Sequence, residues 1–425
     1  MDRKKAIFGW TMYDWADSAF ATTIMAAVLP IYYTDIAGIS LEKTTATAYW
    51  GYTQSIAMLI VAILAPILGA ISDYTCSKKQ FLRIFVYMGA IATSLLFFTD
   101  KGDYLLVSFL YILGMIGFSG GNVFYDAFLP EIVPLEEMDN VSSRGYAFGY
   151  IGGGFLLLVN LTMIQKPELF HIPDATTATQ LSFLTVGTWW LIFSLPLFKF
   201  VNEKKTDQQN STKKSYLIIG LSRVITTFKE INHYKELVKF LIAFWLYNDG
   251  ISTIIKMATI YGREIGIGTS DLIAALLITQ FVGIPFSLLF GKLARKIGSK
   301  QSLYLSLWIY VIIVIFGYFM TSTVHFYILA SAVGLVQGGS QAISRSIYGS
   351  LVPVHRTAEF FGFYGISSKF ASIFGPFLFA IVGQLTGSSR FGIVSLVLFF
   401  VVGIWLLTKV DLKKGQQQAK VVNLL

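Results

Sequence analysis

Two carboxylates lie inside an apolar stretch that is long enough to cross a lipid bilayer. The stretch 8–37 contains Asp14 and Asp17, which are three residues apart and share one face of a helix, with Tyr13 beside them. A charge at membrane depth costs at least ~2.5 kcal/mol, so these side chains should face a partner or a wet cavity. Together they could share a proton or bind a cation. The alternative is that one of them is simply solvated near the basic N-terminal residues.

The stretch 236–262 contains a second set of polar residues. Asn248, Ser252 and Lys256 are spaced by four and stack on one helical face, with Asp249 next to them. Asp249 and Lys256 are about 10 Å apart along the axis, too far for a tight ion pair. Lys256 therefore needs another partner, and we expect it in a cavity; the alternative is that its stem snorkels to the membrane surface.

Lys369 lies near the middle of a further apolar stretch, 358–385, where snorkelling is harder. We therefore expect this lysine to face a cavity as well. Lysines from the second half of the chain and acids from the first half would form a polarised cavity. Such a cavity suits a zwitterion, or an anion with proton coupling.

Asp126 and Glu131 lie near the end of the stretch 103–129, beside two prolines. The helix dipole does not favour a carboxylate near a helix C-terminus, so Arg144 or Arg345 could compensate. These arginines occur at matching ends of the two halves of the chain. A gating salt bridge is one interpretation, and solvation of the acids in a loop is the other.

Composition and motifs exclude most other classes of protein. Charged residues are 13% of the 425 residues, about half the share of a soluble chain, and the mean hydropathy is +0.64. The first apolar stretch is too long for a cleavable signal peptide, and the single Cys76 allows no intrachain disulfide. The net charge of +9 follows membrane topology and does not indicate nucleic acid. Without a phosphate-binding loop or a metal-ligand spacing of histidines, we expect no enzyme, cofactor or metal.

Twelve apolar stretches predict an all-α membrane protein with twelve transmembrane helices. Of the lysines and arginines, 26 lie in the termini and the loops on their side, and 5 in the opposite loops. By the positive-inside rule both termini are cytosolic, and we expect a monomer that spans the cell membrane. The stretches are 8–37, 45–72, 80–99, 103–129, 144–165, 180–201, 236–262, 271–292, 302–321, 324–351, 358–385 and 389–408.

The longest connection divides the chain into six helices plus six. It is polar at first and then amphipathic, which predicts a helix on the inner membrane face, with a partly ordered linker as the alternative. Its apolar positions are Leu217, Leu221, Val224, Phe228 and Ile231. The predicted organisation is an N-terminal bundle at 1–200, a linker at 201–234, a C-terminal bundle at 235–410 and a tail at 411–425.

The two halves of the chain carry similar features in the same order. The matched features are Tyr13-Asp14 with Tyr247-Asn248-Asp249, Pro66 and Gly69 with Pro285 and Gly291, Gly120-Gly121 with Gly338-Gly339, and 145–150 with 361–364. Repeated halves with Gly and Pro at matching places are typical of a transporter whose site lies between the halves.

The chain resembles the major facilitator superfamily and, within it, the autophagy-related, vacuole-effluxer-like family. The motifs that carry the resemblance are YDWADSAFATTI at Tyr13, FYDAFLPEIVP at Phe124, RGYAFGYIGGG at Arg144, YNDGISTI at Tyr247, GGSQAISRSIYGSLVP at Gly338 and AEFFGFY at Ala358. The resemblance implies two six-helix bundles, alternating access and movement of small solutes. Eukaryotic relatives are associated with release of amino acids from vacuoles. The family pattern often has Asn at the positions of Asp17 and Asp126, so this chain would add carboxylates to the cavity.

The run from Gly69 to Asp73 and the following lysines resembles the superfamily's loop motif between the second and third helices. Gly69 would permit a close approach of helices, and Asp73 would bind a helix N-terminus or a cation across the bundle. The second copy, at Gly291, has Arg295 at the offset of Asp73, so only the first copy is expected to act as a conformational latch.

These observations together predict a secondary active transporter that moves a small polar solute, an amino acid or a similar ion, with proton coupling. One alternative is an exporter of drugs or lysolipids with the same fold, since aromatic residues are 16% of the chain. Another is a membrane sensor or channel, although neither a pore-loop sequence nor a sizeable soluble output domain is found.

Overall fold

The computed structural model describes residues 2–203, 216–229, 231–370 and 374–421, and these residues are almost entirely helical. The first half has six long helices and two short 3₁₀ turns. They are α1 at Arg3–Ala27 and Leu29–Ala37, α2 at Lys43–Thr75, α3 at Lys78–Leu95, α4 at Tyr104–Ile132, α5 at Leu135–Gln165 and α6 at Ala175–Phe200, with turns at Leu96–Phe98 and Pro167–Phe170.

The second half follows a short helix that we call the linker helix, Tyr216–Lys229, and ends in a tail helix, Leu412–Val421. Its long helices are α7 at Lys235–Glu264, α8 at Thr269–Ile297, α9 at Ser299–Tyr318, α10 at Thr323–Leu351, α11 at Thr357–Phe370, a following helix at Phe374–Thr386, and α12 at Ser389–Thr408, with 3₁₀ turns at Ile231–Tyr234 and Val354–Arg356.

The predicted all-helical membrane fold is confirmed. Within the described part of the chain, ten helices are long and apolar enough to cross a membrane, and the bent α1 makes an eleventh. The remaining predicted stretch, 358–385, corresponds to α11 and the helix Phe374–Thr386, and residues 371–373 between them lie outside the described part.

One boundary differs clearly from the sequence prediction. α5 begins at Leu135, directly after Pro134, and not at 144. The intervening segment is polar, but its polar side chains are either exposed, as Glu136 is, or buried against protein, as is Asp139, which accepts a hydrogen bond from Ser299 at 2.5 Å. Glu136 and Glu137 lie in its first turn, where the helix dipole favours acids. Oε1 of Glu137 also forms an ion pair with Nη2 of Arg3, at 2.5 Å.

The two halves meet through α2 with α11 and through α5 with α8. At the first crossing, a Cβ on Gly69 would lie 2.4 Å from the carbonyl oxygen of Ala358, so only glycine allows this approach. At the second, Gly291 packs against Ser143 in the same way. Both crossings lie on the side of the bundle that carries the two described termini, which we call the termini side.

Helix α1 is bent by 41° between Arg3–Ala27 and Leu29–Ala37. Two segments, Phe20–Ala27 and Tyr33–Ala37, are wound as π-helix, and Pro30 follows the break. Pro lacks the N–H that would continue the hydrogen-bond ladder, and π-turns accommodate such interruptions. The bend separates the inner part of α1, which carries Asp14 and Asp17, from its outer end.

The linker helix falls where the amphipathic pattern predicted a helix, although residues 204–215 before it lie outside the described part. It packs on the end of α2, where Gly220 contacts Ile71 and the Arg223 guanidinium lies 5.0 Å from the centre of the Tyr74 ring. Ile219 and Thr227 are buried, whereas Leu221 is exposed. Its position relative to a membrane stays a prediction.

Candidate functional site

A polar cavity of about 350 Å³ lies between the two halves. Helices α1, α4 and α5 supply one wall, and α7, α8, α10 and α11 supply the other. Its polar and charged lining consists of Asp14, Asp17, Ser18, Thr22, Ser119, Asn122, Tyr125, Asp126, Tyr146, Tyr150, Asn248, Gln280, Gln337, Gln341, Arg345, Tyr364 and Ser368. We call this space the polar cavity. Its volume is at the low end of the ~300–1,000 Å³ range of small-molecule sites.

Arg345 of α10 joins the halves at this cavity. Its Nη2 lies 3.3 Å from Oδ2 of Asp14 on α1, and its Nη1 lies 3.0 Å from Oδ1 of Asp126 on α4. Its Nε donates to Oγ of Ser142 on α5 at 2.9 Å, and Nη2 also donates to the Ser142 carbonyl oxygen. The side chain is only 3% exposed, so these bonds satisfy a desolvated guanidinium.

Aromatic rings enclose the same guanidinium. Its carbon lies 4.7 Å from the centre of the Trp10 ring and 4.5 Å from that of Tyr146, within cation–π range. The hydroxyl of Tyr125 donates to Asp14 Oδ2 at 2.6 Å. Gly145 makes room for the ion pair, because a Cβ there would lie 2.2 Å from the same Asp14 oxygen.

Asp17 differs from Asp14 and Asp126, which both pair with Arg345. It is 3% exposed, and among the described residues it forms no ion pair. Two neighbouring groups in the lining, Oγ of Ser119 and Oδ1 of Asn122, have no hydrogen-bond partner within the described part of the chain. Within the described lining, the cavity thus holds three carboxylates and one cationic group, the guanidinium of Arg345, which compensates only part of their negative charge.

A second polar cluster ties α2 to α11 on the termini side. Both Asp73 oxygens accept from the start of α11, from the backbone N–H of Ala358 at 3.2 Å and of Glu359 at 2.8 Å. Lys78 Nζ lies 3.2 Å from Asp73 Oδ1 and also pairs with Glu131. The contacts that the sequence predicted for Asp73, a helix N-terminus and a cation, are therefore both present. Whether they act as a latch stays a prediction.

Glu203 adds to this cluster from the end of the first half. Its carboxylate accepts from the backbone N–H groups of Lys78 and Lys79, at 2.8 and 3.2 Å, and so caps the start of α3. Burial raises the pKa of the Glu203 carboxyl, an effect that these two hydrogen bonds partly oppose.

The other residues predicted on α1 and α7 have mixed placements. Asn248 lines the polar cavity and is 5% exposed. Tyr13 is fully buried against Tyr125 and does not line the cavity. Asp249 accepts from the backbone N–H of Gly375 at 2.9 Å, so its carboxylate holds the start of the helix Phe374–Thr386.

The predicted lysines are not found in the described lining. Lys256 is exposed, and neither it nor Ser252 is among the residues that line the polar cavity. From α7, the described lining of the polar cavity contains Phe244 and Asn248, whereas residues 254, 255, 257 and 258 line the adjoining apolar cavity. Lys369 lies in α11, but its side chain is outside the described part. The cation that the structure does place among the acids is Arg345, predicted only as a gating residue.

The predicted gating residues therefore separate into different sites. Arg345 pairs with Asp126 at the polar cavity, and Glu131 pairs with Lys78 in the termini-side cluster. Arg144 is half-buried and has no ion-pair partner within the described ranges. The positions of these charges in the sequence cannot distinguish the pairings, because all of the groups lie near helix ends on the termini side.

Sequence reasoning missed the three glutamines of the cavity. Gln280 lies in α8, and Gln337 and Gln341 lie four residues apart on one face of α10. Each is an isolated amide within an apolar stretch, which was an available signal for a cavity-facing position. No group of three or more His, Cys, Asp or Glu that could hold a metal occurs within the described ranges.

A mainly apolar cavity of about 280 Å³ adjoins the polar one on the side away from the termini. Both are lined by Ala21, Thr22, Gln280 and Gln337. A wider cleft of about 490 Å³, lined by both halves, includes Asp35 of α1 and Arg263 of α7. The halves are thus joined at the termini side and separated by cavities on the opposite side.

Comparisons with known proteins agree with this architecture. The model of the family described as "Vacuole effluxer Atg22 like" matches residues 38–420. The chain is 42% identical over 401 residues to the uncharacterized MFS-type transporter YxiO of Bacillus subtilis strain 168, covering 94% of this chain and 93% of that protein. It is 24% identical to autophagy-related protein 22 of Yarrowia lipolytica, covering 87% of this chain and 76% of that protein.

Solved transporter structures share the fold at low sequence identity. The proton:xylose symporter XylE has a TM-score of 0.74 at 15% identity, covering 99% of this chain and 98% of its own. The E. coli fucose:proton symporter FucP has a TM-score of 0.69 at 13% identity, covering 96% and 98%.

Proposed function

Because this chain belongs to the Atg22-like, vacuole-effluxer family of major facilitator superfamily transporters, we propose that it moves a small polar solute through the polar cavity, coupled to protons. The observation that carries this proposal is the buried cluster of Asp14, Asp17 and Asp126 around Arg345, at the junction of the two halves. Charged groups at membrane depth are expensive and are retained where a solute or ion passes.

The lining supports a zwitterion or a similar small ion as the solute. Asp17, Ser119 and Asn122 present acceptors that suit the N–H donors of an amine. On the opposite wall, Gln337 and Gln341 present amide donors that suit a carboxylate. This polarised arrangement, together with the amino-acid association that the family resemblance implies, favours an amino acid.

Proton coupling follows from the charge balance of the cavity. Arg345 compensates part of the charge of three buried carboxylates, so one or more protons or a cationic group would complete the balance. Protonating Asp14 or Asp126 would also weaken the ion pairs that join the halves. Proton binding and the opening of the termini side would then be two parts of one step.

Alternating access follows from the position of the contacts. The α2–α11 and Arg345 contacts join the halves on the termini side, while cavities separate them on the other. We assign the termini side to the cytosol, because the sequence assigns 26 lysines and arginines to the termini and the loops on their side, against 5 in the opposite loops. The chain would then span the cell membrane with its cavity open outward.

Transport by the full chain in proteoliposomes tests this proposal. A panel of labelled amino acids, sugars and organic anions should include a solute that accumulates under an imposed pH gradient and stops accumulating when an ionophore collapses the gradient. Asp126→Asn should uncouple accumulation from the gradient. Asp100→Asn, a carboxylate-to-amide change on an exposed loop, is the matched control. Accumulation that follows sodium without a pH gradient would refute proton coupling.

A second candidate is a carrier of amphipathic molecules such as drugs or lysolipids. The apolar cavity beside the polar one favours it, since a molecule with a charged head and an apolar tail could occupy both. Competition by lysolipids or hydrophobic cations against the best polar solute distinguishes the two. Inhibition by amphipathic compounds that are themselves transported would replace the first proposal.

A further inference from the structure

The linker helix contacts both halves of the transporter at once. It packs on α2 of the first half, where a Cβ on Gly220 would lie 3.0 Å from the Ile67 carbonyl oxygen. At its other end, the buried hydroxyl of Thr227 hydrogen-bonds to Glu359 and Arg356 at the start of α11 in the second half. The helix therefore bridges the crossing of α2 and α11.

Glu359 is the shared point of these contacts. Its backbone N–H is bound by Asp73 of α2 at 2.8 Å, and its carboxylate is bound by Thr227 of the linker helix and, at 3.0 Å, by Arg356. The side chain is fully buried, so losing a partner would leave desolvated charge. Separation of α2 from α11 on the termini side must break the bond to Asp73, and it must also break the Thr227 contact as long as the linker helix stays on α2.

The opposite face of the linker helix is an apolar stripe. Ile218, Leu221 and Ile225 recur at spacings of three and four and are 59%, 47% and 53% exposed. Lys229 is exposed at the end of the same helix. On α2, to which the helix is attached, Leu59 is exposed as well. In a chain that crosses a bilayer, a stripe that continues from such a surface and ends in a basic residue suits acyl chains and anionic headgroups.

We propose that the linker helix is a membrane-bound strap: its apolar stripe inserts into the lipid leaflet on the termini side, and its Thr227 contact thereby holds that side closed. The lipid is the partner, and anionic headgroups strengthen the attachment. The strap regulates the conformational equilibrium whichever solute is transported, so it goes beyond the proposed function and depends only on alternating access.

Two cysteine reporters in the full-length protein test the strap. Cys76, at the end of α2, reports maleimide access from the termini side, and Leu276→Cys in a Cys76→Ser background reports access to the cleft on the opposite side. The protein is reconstituted in phosphatidylcholine vesicles with and without phosphatidylglycerol. Opening of the termini side raises labelling of the first reporter and lowers labelling of the second.

The test variant replaces the stripe, as Ile218→Asn with Leu221→Asn and Ile225→Asn. We expect at least a threefold rise in the labelling rate at Cys76, on the order of 0.6 kcal/mol in the conformational equilibrium, and a reciprocal fall at position 276. Thr227→Val should act in the same direction. The control variant, Ser222→Ala with Thr226→Ala, changes exposed polar residues of the same helix and should match the parent.

Lipid composition provides the second comparison. Phosphatidylglycerol should lower labelling at Cys76 in the parent protein but have no effect in the stripe variant. A stripe variant that labels like the parent at both reporters would overturn the proposal. So would a rise at Cys76 without the reciprocal fall at position 276, because the helix would then only shield the thiol. A protein that moves no solute but shows the reciprocal changes would refute the proposed function and leave the strap standing.

Discussion

Replacing Arg345 with methionine tests the central ion cluster most directly. The change keeps much of the side-chain length but removes the charge that joins Asp14 and Asp126. It also leaves the Ser142 carbonyl oxygen without its guanidinium donor. Because Arg345 is 3% exposed, water cannot easily replace these bonds.

The expected loss of stability follows from this burial. Removing one partner of a buried ion pair costs ~3–5 kcal/mol, because the other charge stays desolvated. At about 2 °C per kcal/mol for a large chain, this is a drop in Tm of roughly 6–10 °C. The two carboxylates can lower this cost by binding protons, so the drop should be larger at alkaline than at acidic pH.

Thermal unfolding of the purified protein measures this effect, and a compensating variant sharpens the measurement. Arg345→Met combined with Asp14→Asn and Asp126→Asn removes the whole charge set, so it should recover most of the lost Tm while transport remains absent. A single Arg345→Met variant within about 2 °C of the parent would refute the reasoning, as would a triple variant less stable than the single one.

Three further variants address the termini side. Asp73→Asn removes the negative charge that binds the start of α11 and should raise maleimide labelling of Cys76 in vesicles. Unchanged labelling would contradict a latch. Gly69→Ala places a Cβ 2.4 Å from a backbone oxygen and should destabilise the protein by about 1–3 kcal/mol, whereas Gly51→Ala, with no atom within 4 Å, should not. Burial raises the pKa of the Glu203 carboxyl in the folded state, so this acid stabilises the fold less as the pH rises through that pKa. Glu203→Gln should therefore make the fall in Tm above about pH 4.5 less steep.

The charge pattern of the sequence predicted the acids of α1 for a cavity, Asp126 for a gating ion pair and lysines as the cavity cations. The structure places the acids of α1 and Asp126 in one cavity, and the cation in its described lining is Arg345. Lys256 has the spacing of a cavity residue relative to Asn248, yet the polar cavity does not extend to its turn. Arg345 lies close to the end of its stretch, which in sequence resembles a solvated position. Only the packing of α10 against α1 and α4 shows that this end is sealed by protein.

The amide residues show a second limit of the sequence. Helical periodicity identifies which residues share a face, but an all-round apolar helix gives little indication of which face meets protein and which meets lipid. Periodicity alone therefore does not distinguish Gln280 and Gln337 from polar residues that do not face the cavity. Helix existence depends mainly on local composition and was predictable, whereas the lining of the cavity depends on contacts between halves that are over a hundred residues apart.

If a solute binds in the polar cavity, the position of Arg345 links its recognition to conformational change. The same guanidinium compensates the cavity acids and joins the halves on the termini side. A solute carboxylate that binds it must compete with Asp14 or Asp126, and a proton on either acid makes that competition easier. Each event weakens an attraction between the halves, while an empty, ionised cavity keeps them together. Coupling of protons to solute movement would therefore need no separate proton relay, because Arg345 belongs both to the polar cavity and to the contacts that join the halves.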